Sequence, residues 1–171
     1  MCSRYGLIAA ADRLQQRFDQ KALEELIFKP EIRIGDLAPI VTREGLRLGK
    51  FGLTGHNKRP VFNARSETWE QKKLFLELEP CLIPATSFWE WSPAKRIFEF
   101  GPELDEFLVF PGLFGKGAFA ILTCDPDDIV GPIHDRMPLC LPRDTETDWL
   151  ARVLPKSTSR LRVVAGQSSL F

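Results

Sequence analysis

The chain is poor in the features that mark a metalloprotein, a secreted scaffold or a membrane protein. Its 171 residues hold four cysteines (Cys2, Cys81, Cys124 and Cys140) and two histidines, with no Cys-x-x-Cys pair. That spacing argues against a zinc site, and a disulfide scaffold is not expected in a chain of this length. No apolar run reaches the roughly 18–20 residues of a membrane-spanning helix, and no signal-peptide pattern precedes Cys2. Formal net charge is zero, so any nucleic-acid surface has to be a local patch rather than a property of the whole chain. No internal repeat or linker is visible. These absences leave one domain, expected in a reducing cytoplasm and without metal or cofactor. Cys81, Cys124 and Cys140 are then reduced thiols packed in apolar strands.

What is present is punctuation. Thirteen prolines and twelve glycines break the chain into short elements. Residues 11 to about 28 read as one or two helices, with Asp12 as N-cap, Leu14 and Phe18 on one face, and Leu23, Leu26 and Ile27 continuing the pattern. Short alternating runs at 32–34, 40–41 and 46–48 read as strands. A polar helix is expected over 68–73, capped by Ser66. Strands follow at 81–84 and 87–91, then a hairpin pairing 97–100 with 107–110. Residues 118–124 are the most apolar run and are expected as the central strand. A helical turn near Asp127, a strand at 139–141 and a helix over 144–152 complete the pattern, and the tail from Ser157 is unreadable. Strands dominate without alternating with helices. The expected class is α+β, with a largely antiparallel, curved or barrel-like sheet.

The chemistry starts at Met1-Cys2-Ser3-Arg4-Tyr5. A small second residue allows removal of Met1, which leaves Cys2 with a free thiol and a free α-amine. Such a 1,2-aminothiol condenses with an aldehyde first as an imine and then, by thiol attack, as a five-membered thiazolidine. Ordinary pKa values of roughly 7.7–8.0 for the amine and about 8.5 for the thiol keep some of each nucleophile available near neutrality. Glu90 lies in Phe88-Trp89-Glu90-Trp91, where strand alternation puts it on the face of Phe88 and the tryptophans on the other. An apolar setting would raise its pKa and suit it to shuttling protons; a solvated edge-strand glutamate is the alternative. His134 is held between Pro132 and Pro138 as a candidate acid, base or hydrogen-bond donor, or as a loop histidine bonded to Asp135. Asn63 and Arg65 point the same way if their segment is extended. They offer an amide for an amine and a guanidinium for a phosphate, although a turn asparagine and a surface arginine is the reading this piece alone favours. Arg4, Lys50, Arg65 and Arg136 lie beside these pieces, and Phe51 and the tryptophans supply candidate faces for base stacking.

In this order the motifs resemble the SRAP family, the SOS-response-associated peptidase-like proteins that protect abasic sites in single-stranded DNA. The matching pieces are Met1-Cys2 with Arg4-Tyr5, Phe51-Gly52-Leu53, Asn63-Ala64-Arg65 with Glu67-Thr68, Cys81 through Trp91, and His134-Asp135-Arg136-Met137-Pro138. The resemblance implies one SRAP domain over residues 2–171 after loss of Met1. It implies that Cys2 forms a thiazolidine with the ring-opened sugar aldehyde, that Asn63 positions the amine and that Glu90 shuttles protons. His134 would assist ring opening, Arg4, Arg65 and Arg136 would hold phosphates, and Phe51 would contact DNA. Self-removal of Met1 and a lyase-like character are also implied. So are partners consisting of abasic single-stranded DNA and replication-fork proteins, with a monomer and no membrane. Three positions depart from the pattern: Ser3 replaces Gly, Lys50 and Phe51 stand where many members have Trp, and Leu76 stands where arginine is common. Two other readings remain at this point. One is a cysteine hydrolase using Cys2, His134 and Asn63; the other is a non-reactive single-strand binder, motivated by Ser3.

Overall fold

The proline and glycine punctuation becomes fourteen short strands and three short helices among the described residues of a computed structural model, which are 2–8, 11–18, 29–104, 106–155 and 158–167. In chain order they are β1 (Arg4–Gly6), α1 (Ala11–Phe18), β2 (Ile32–Arg33), β3 (Leu37–Thr42), β4 (Gly45–Phe51), β5 (Leu53–Thr54), β6 (Pro60–Val61) and β7 (Asn63–Arg65). Then follow α2 (Lys73–Leu76), β8 (Glu79–Ala85), β9 (Ser87–Trp91), β10 (Ile97–Pro102), β11 (Leu108–Gly115), β12 (Ala118–Cys124), β13 (Met137–Pro138), α3 (Glu146–Leu150) and β14 (Leu161–Gln167).

Five strands close on themselves in the order β11–β8–β3–β4–β12, with β12 pairing back to β11. Every joint is antiparallel except β4–β12, where Phe119 lies opposite Phe51 in parallel register. Closure leaves these strands no free edge. β12 also pairs with β7 and β13, so the most apolar run is the central strand, as its composition predicts. A second sheet runs β14–β10–β9–β1–β2.

Aromatic packing joins the two sheets. Tyr5 of β1 meets Phe51 edge-on at 5.6 Å and Phe110 at 6.0 Å. Phe88 of β9 stacks on Phe100 at 5.1 Å and meets Phe110 edge-on at 6.1 Å. Phe51 is fully buried and stacks on Phe119 at 5.3 Å. The DNA-contacting role expected of Phe51 is therefore corrected: no face of its ring is open to a base. Truncating it removes core contacts on several sides, so Phe51→Ala should cost about 3–5 kcal/mol in urea unfolding.

Gly6 and Gly52 are placed where a side chain has no room or no allowed conformation. A Cβ on Gly6 would lie 2.8 Å from the Pro30 carbonyl oxygen, and Gly52 has φ +103° where the chain turns out of β4.

Several local expectations differ. Residues 97–100 and 107–110 form no hairpin: β10 pairs with β9 and β14, while β11 pairs with β8 and β12. The segment after Met137–Pro138 is not a strand, though Leu139 N–H donates to Leu122 O at 2.9 Å and Leu141 N–H to Val109 O at 2.8 Å. The 68–73 helix is a tight turn at Trp69–Gln71 followed by α2, with Thr68 rather than Ser66 at its start. α1 starts at Ala11, ahead of Asp12, and buries Leu14; the continuation expected over 19–28 and the loss of Met1 lie outside the described residues.

Candidate functional site

The site gathers at the start of β1 and draws its side chains from both sheets. Cys2 is two residues ahead of β1 and fully buried, and its thiol donates to the Arg4 carbonyl oxygen at 3.7 Å. β1 is fixed beside β9 by the registers Tyr5↔Phe88 and Gly6↔Ser87. Thr86 ties it down further: its N–H donates to Gly6 O at 2.7 Å and its hydroxyl accepts from Ile8 N–H at 3.0 Å.

Strand alternation puts Glu90 on the face of Phe88, and both are buried, at 1% and 0% exposure, while Trp89 and Trp91 are half-buried. β9 has neighbours on both sides, so the solvated edge-strand reading of Glu90 is set aside. Burial pushes the Glu90 carboxyl up to about 7. Positive charge at the amino terminus opposes this and Asp135 reinforces it. Burial, and after it the charge of Glu90, pushes the Cys2 thiol well above its ordinary range.

His134 reaches Glu90 from the loop before β13, with Nε2 at 3.7 Å from Glu90 Oε2. Its Nδ1 lies 3.0 Å from the Arg136 backbone N and 2.9 Å from the Arg136 carbonyl oxygen, with Asp135 Oδ1 at 3.1 Å. The backbone of Arg136 satisfies either tautomer: it donates to an unprotonated Nδ1 or accepts from a protonated one. The ring is thus held by the same backbone whichever tautomer it adopts. Asn63 stands on β7, opposite Ile121 of β12. Asn63 Nδ2 donates to Phe62 O at 3.0 Å, while its buried Oδ1 has no hydrogen-bond partner among the described residues. An amine or ammonium would satisfy that acceptor.

The four expected DNA-binding residues divide. Arg65 is exposed on β7, where a phosphate can reach it. Arg4 is half-buried, with its guanidinium carbon 5.0 Å from the ring centroids of both Trp89 and Trp91. Phe51 is in the core, and Arg136 is corrected as well. Its buried guanidinium donates to both Glu67 oxygens at 2.9 and 3.0 Å, to Asp125 Oδ1 at 2.6 Å and to Thr123 O at 2.7 Å. Those hydrogen bonds hold Glu67 below the usual carboxylate range. Arg136 fastens the His134 loop to β12, with both Nη nitrogens committed to protein acceptors. Sequence reasoning assigned no role to Thr86, Glu67 or Asp125, whose partners lie 78, 69 and 11 positions away.

A raised carboxylate has a stability consequence. The unfolded Glu90 titrates near 4.5 and the folded one near 7. Between those values the native state binds more protons than the unfolded state, so Glu90's contribution falls as pH rises through that window and is level above it. Glu90→Gln lacks this loss. Urea melts at several pH values should show the variant gaining about 3 kcal/mol on the parent between pH 4.5 and pH 8.

Comparison with known proteins places this geometry in context. The profile of the SOS response associated peptidase (SRAP) family matches residues 1–169. The abasic site processing protein YoaM of Bacillus subtilis is 31% identical, over 93% of this chain and 82% of its own length. The abasic site processing protein YoqW of the same organism is 30% identical, over 92% of this chain and 82% of its own. A crystal structure of a Bacteroides thetaiotaomicron protein superposes with TM-score 0.77 at 18% identity, covering 96% of this chain and 92% of that one. A phage-related protein from Bordetella bronchiseptica gives TM-score 0.72 at 23% identity, covering 95% and 94%.

Proposed function

The chain belongs to the SOS response associated peptidase family, and from that membership we propose that it processes abasic sites in DNA by covalent capture. The substrate is the ring-opened aldehyde of an abasic site in single-stranded DNA. The product is a thiazolidine made from the amine and thiol of Cys2 after Met1 has been removed, by self-cleavage or by an aminopeptidase. The protein does this as a monomer in the cytoplasm, on exposed strand near replication-fork proteins, with lyase-like chemistry open to the imine stage.

The observation that carries the proposal is the raised carboxyl of Glu90, whose Oε2 lies 3.7 Å from His134 Nε2, beside the buried Cys2. Imine formation requires a proton to be taken from the attacking amine and one to be given to the departing hydroxyl. A carboxyl titrating near 7 exists in both forms at neutral pH and serves both steps. His134 passes protons between Glu90 and the sugar oxygen as the ring opens, a role supported by its 3.7 Å approach to Glu90 and its backbone-held ring. The unpartnered Asn63 Oδ1 suits holding the amine. Thiol attack on the imine then closes the ring, and burial keeps Cys2 protonated until that step. That elevation weighs against a cysteine hydrolase, whose thiol needs a depressed pKa. Arg65 supports a flanking phosphate from its exposed position on β7.

The test uses protein with Met1 removed, an oligonucleotide containing one abasic site, and a denaturing gel. A slow-migrating adduct should form, and it should disappear when the aldehyde is first capped with an alkoxyamine. An adduct that persists with capped DNA would contradict aldehyde capture.

A further inference from the structure

Arg4 and Arg33 are cross-strand partners on β1 and β2, and the carboxylate of Glu31 lies between them. Glu31 Oε1 is 3.2 Å from Arg4 Nη1, and the same oxygen accepts from Arg33 Nε. Two guanidinium groups converging on one anionic oxygen is the arrangement expected at a phosphate site. Trp89 and Trp91 flank Arg4 and restrict its guanidinium, so the site does not disperse when its anion leaves. Arg4 Nε is buried without a hydrogen-bond partner among the described residues, which leaves donor capacity beyond what Glu31 takes up. Glu31 is itself about a third exposed, so it can swing into water and vacate its place.

We propose that Glu31 is an internal occupant of a phosphate site formed by Arg4 and Arg33, and that a DNA phosphate must displace it to bind. The inference rests on the proposal that this chain binds single-stranded DNA; what it adds is Arg33 as the second ligand and Glu31 as the competitor. The consequence is selectivity. A strand held by phosphate contacts alone pays for displacing Glu31 and leaves easily, whereas an abasic strand is retained by its bond to Cys2. Intact single-stranded DNA is thereby discriminated against by a residue that touches neither base nor aldehyde.

The test measures fluorescence-anisotropy titrations of an intact, unreactive oligothymidylate over a range of salt concentrations. The proteins are the parent, Glu31→Gln, Glu31→Ser and Glu31→Gln with Arg33→Ala. If Glu31 occupies the site in most molecules, both single variants should bind roughly three- to tenfold more tightly. Their plots of log K against log salt should steepen by about 0.7, for one further phosphate neutralised on a single strand. Adding Arg33→Ala should reverse the gain. Binding by both single variants that is unchanged or weaker than the parent's, at unchanged slope, would overturn the inference while leaving DNA binding intact. If neither the parent nor any variant binds the strand, the inference and the reading beneath it fail together.

Discussion

Cys2→Ser should eliminate the heat-stable adduct with abasic DNA while leaving a trappable one. Serine at position 2 still allows Met1 to be removed and still presents an α-amine, so an imine can form at the sugar aldehyde. What is lost is the thiol that closes the ring. Incubation without reductant followed by a denaturing gel should reveal no stable adduct above background. Incubation with borohydride should restore a band by reducing the imine to a secondary amine. Keeping Met1 has a different outcome: the chain then carries an amide nitrogen at Cys2, its thiol and α-amine sit on different residues, and it should form no thiazolidine. The pair of results separates the two nucleophiles, which a simple loss of activity does not. A serine variant that forms as much stable adduct as the parent would remove the thiol from the account.

The second large effect is expected at Glu90. The carboxyl is 1% exposed, titrates near 7 and lies 3.7 Å from His134 Nε2. Gln keeps the shape and some hydrogen bonding but can neither take nor give a proton. Single-turnover cross-linking by Glu90→Gln should therefore be slower by about 10²–10³-fold, the range for loss of a positioned acid–base group. The pH profile provides the sharper test. With the parent, the base form of Glu90 grows and the acid form declines as pH rises through 7, so the rate should pass through a maximum near neutrality. With Gln that maximum should flatten into a shallow rise set by the amine. Because Gln is expected to stabilise the fold above pH 7, a slower variant at pH 8 cannot be ascribed to unfolding. A parent-like rate and profile for the variant would displace Glu90 from the proton path.

The site was readable where local pattern decides geometry and unreadable where distant pairing does. Alternation along Phe88-Trp89-Glu90-Trp91 predicts which side chains share a face, and the strand obeys it, while pairing on both sides decides that the Glu90 face is buried. The two prolines around His134 imply a fixed loop, and its ring is held by the neighbouring backbone. By contrast, the alternation in β10 and β11 is compatible with pairing to each other or to other strands. Barrel closure decided it, and closure depends on a joint between residues 68 positions apart, Lys50 with Ala118. Phe51 and Arg136 belong to the motifs that carry the family resemblance, which marks a position as constrained without saying toward what. Phe51 is constrained by the ring stack in the barrel, and Arg136 by Glu67, Asp125 and Thr123. Glu31 offers no local signal, because its meaning depends on two strands meeting.

The central claim is a thiazolidine at Cys2, and its most direct measurement is the intact mass of the cross-linked species with and without borohydride. Condensation of an aminothiol with an aldehyde expels one water whether it stops at the imine or closes the ring. The account predicts the mass of the protein lacking Met1 plus the oligonucleotide minus one water, unchanged by borohydride because a thiazolidine has no C=N bond to reduce. A gain of two hydrogens on reduction would identify an open imine and contradict the claim, as would an adduct whose mass still includes Met1.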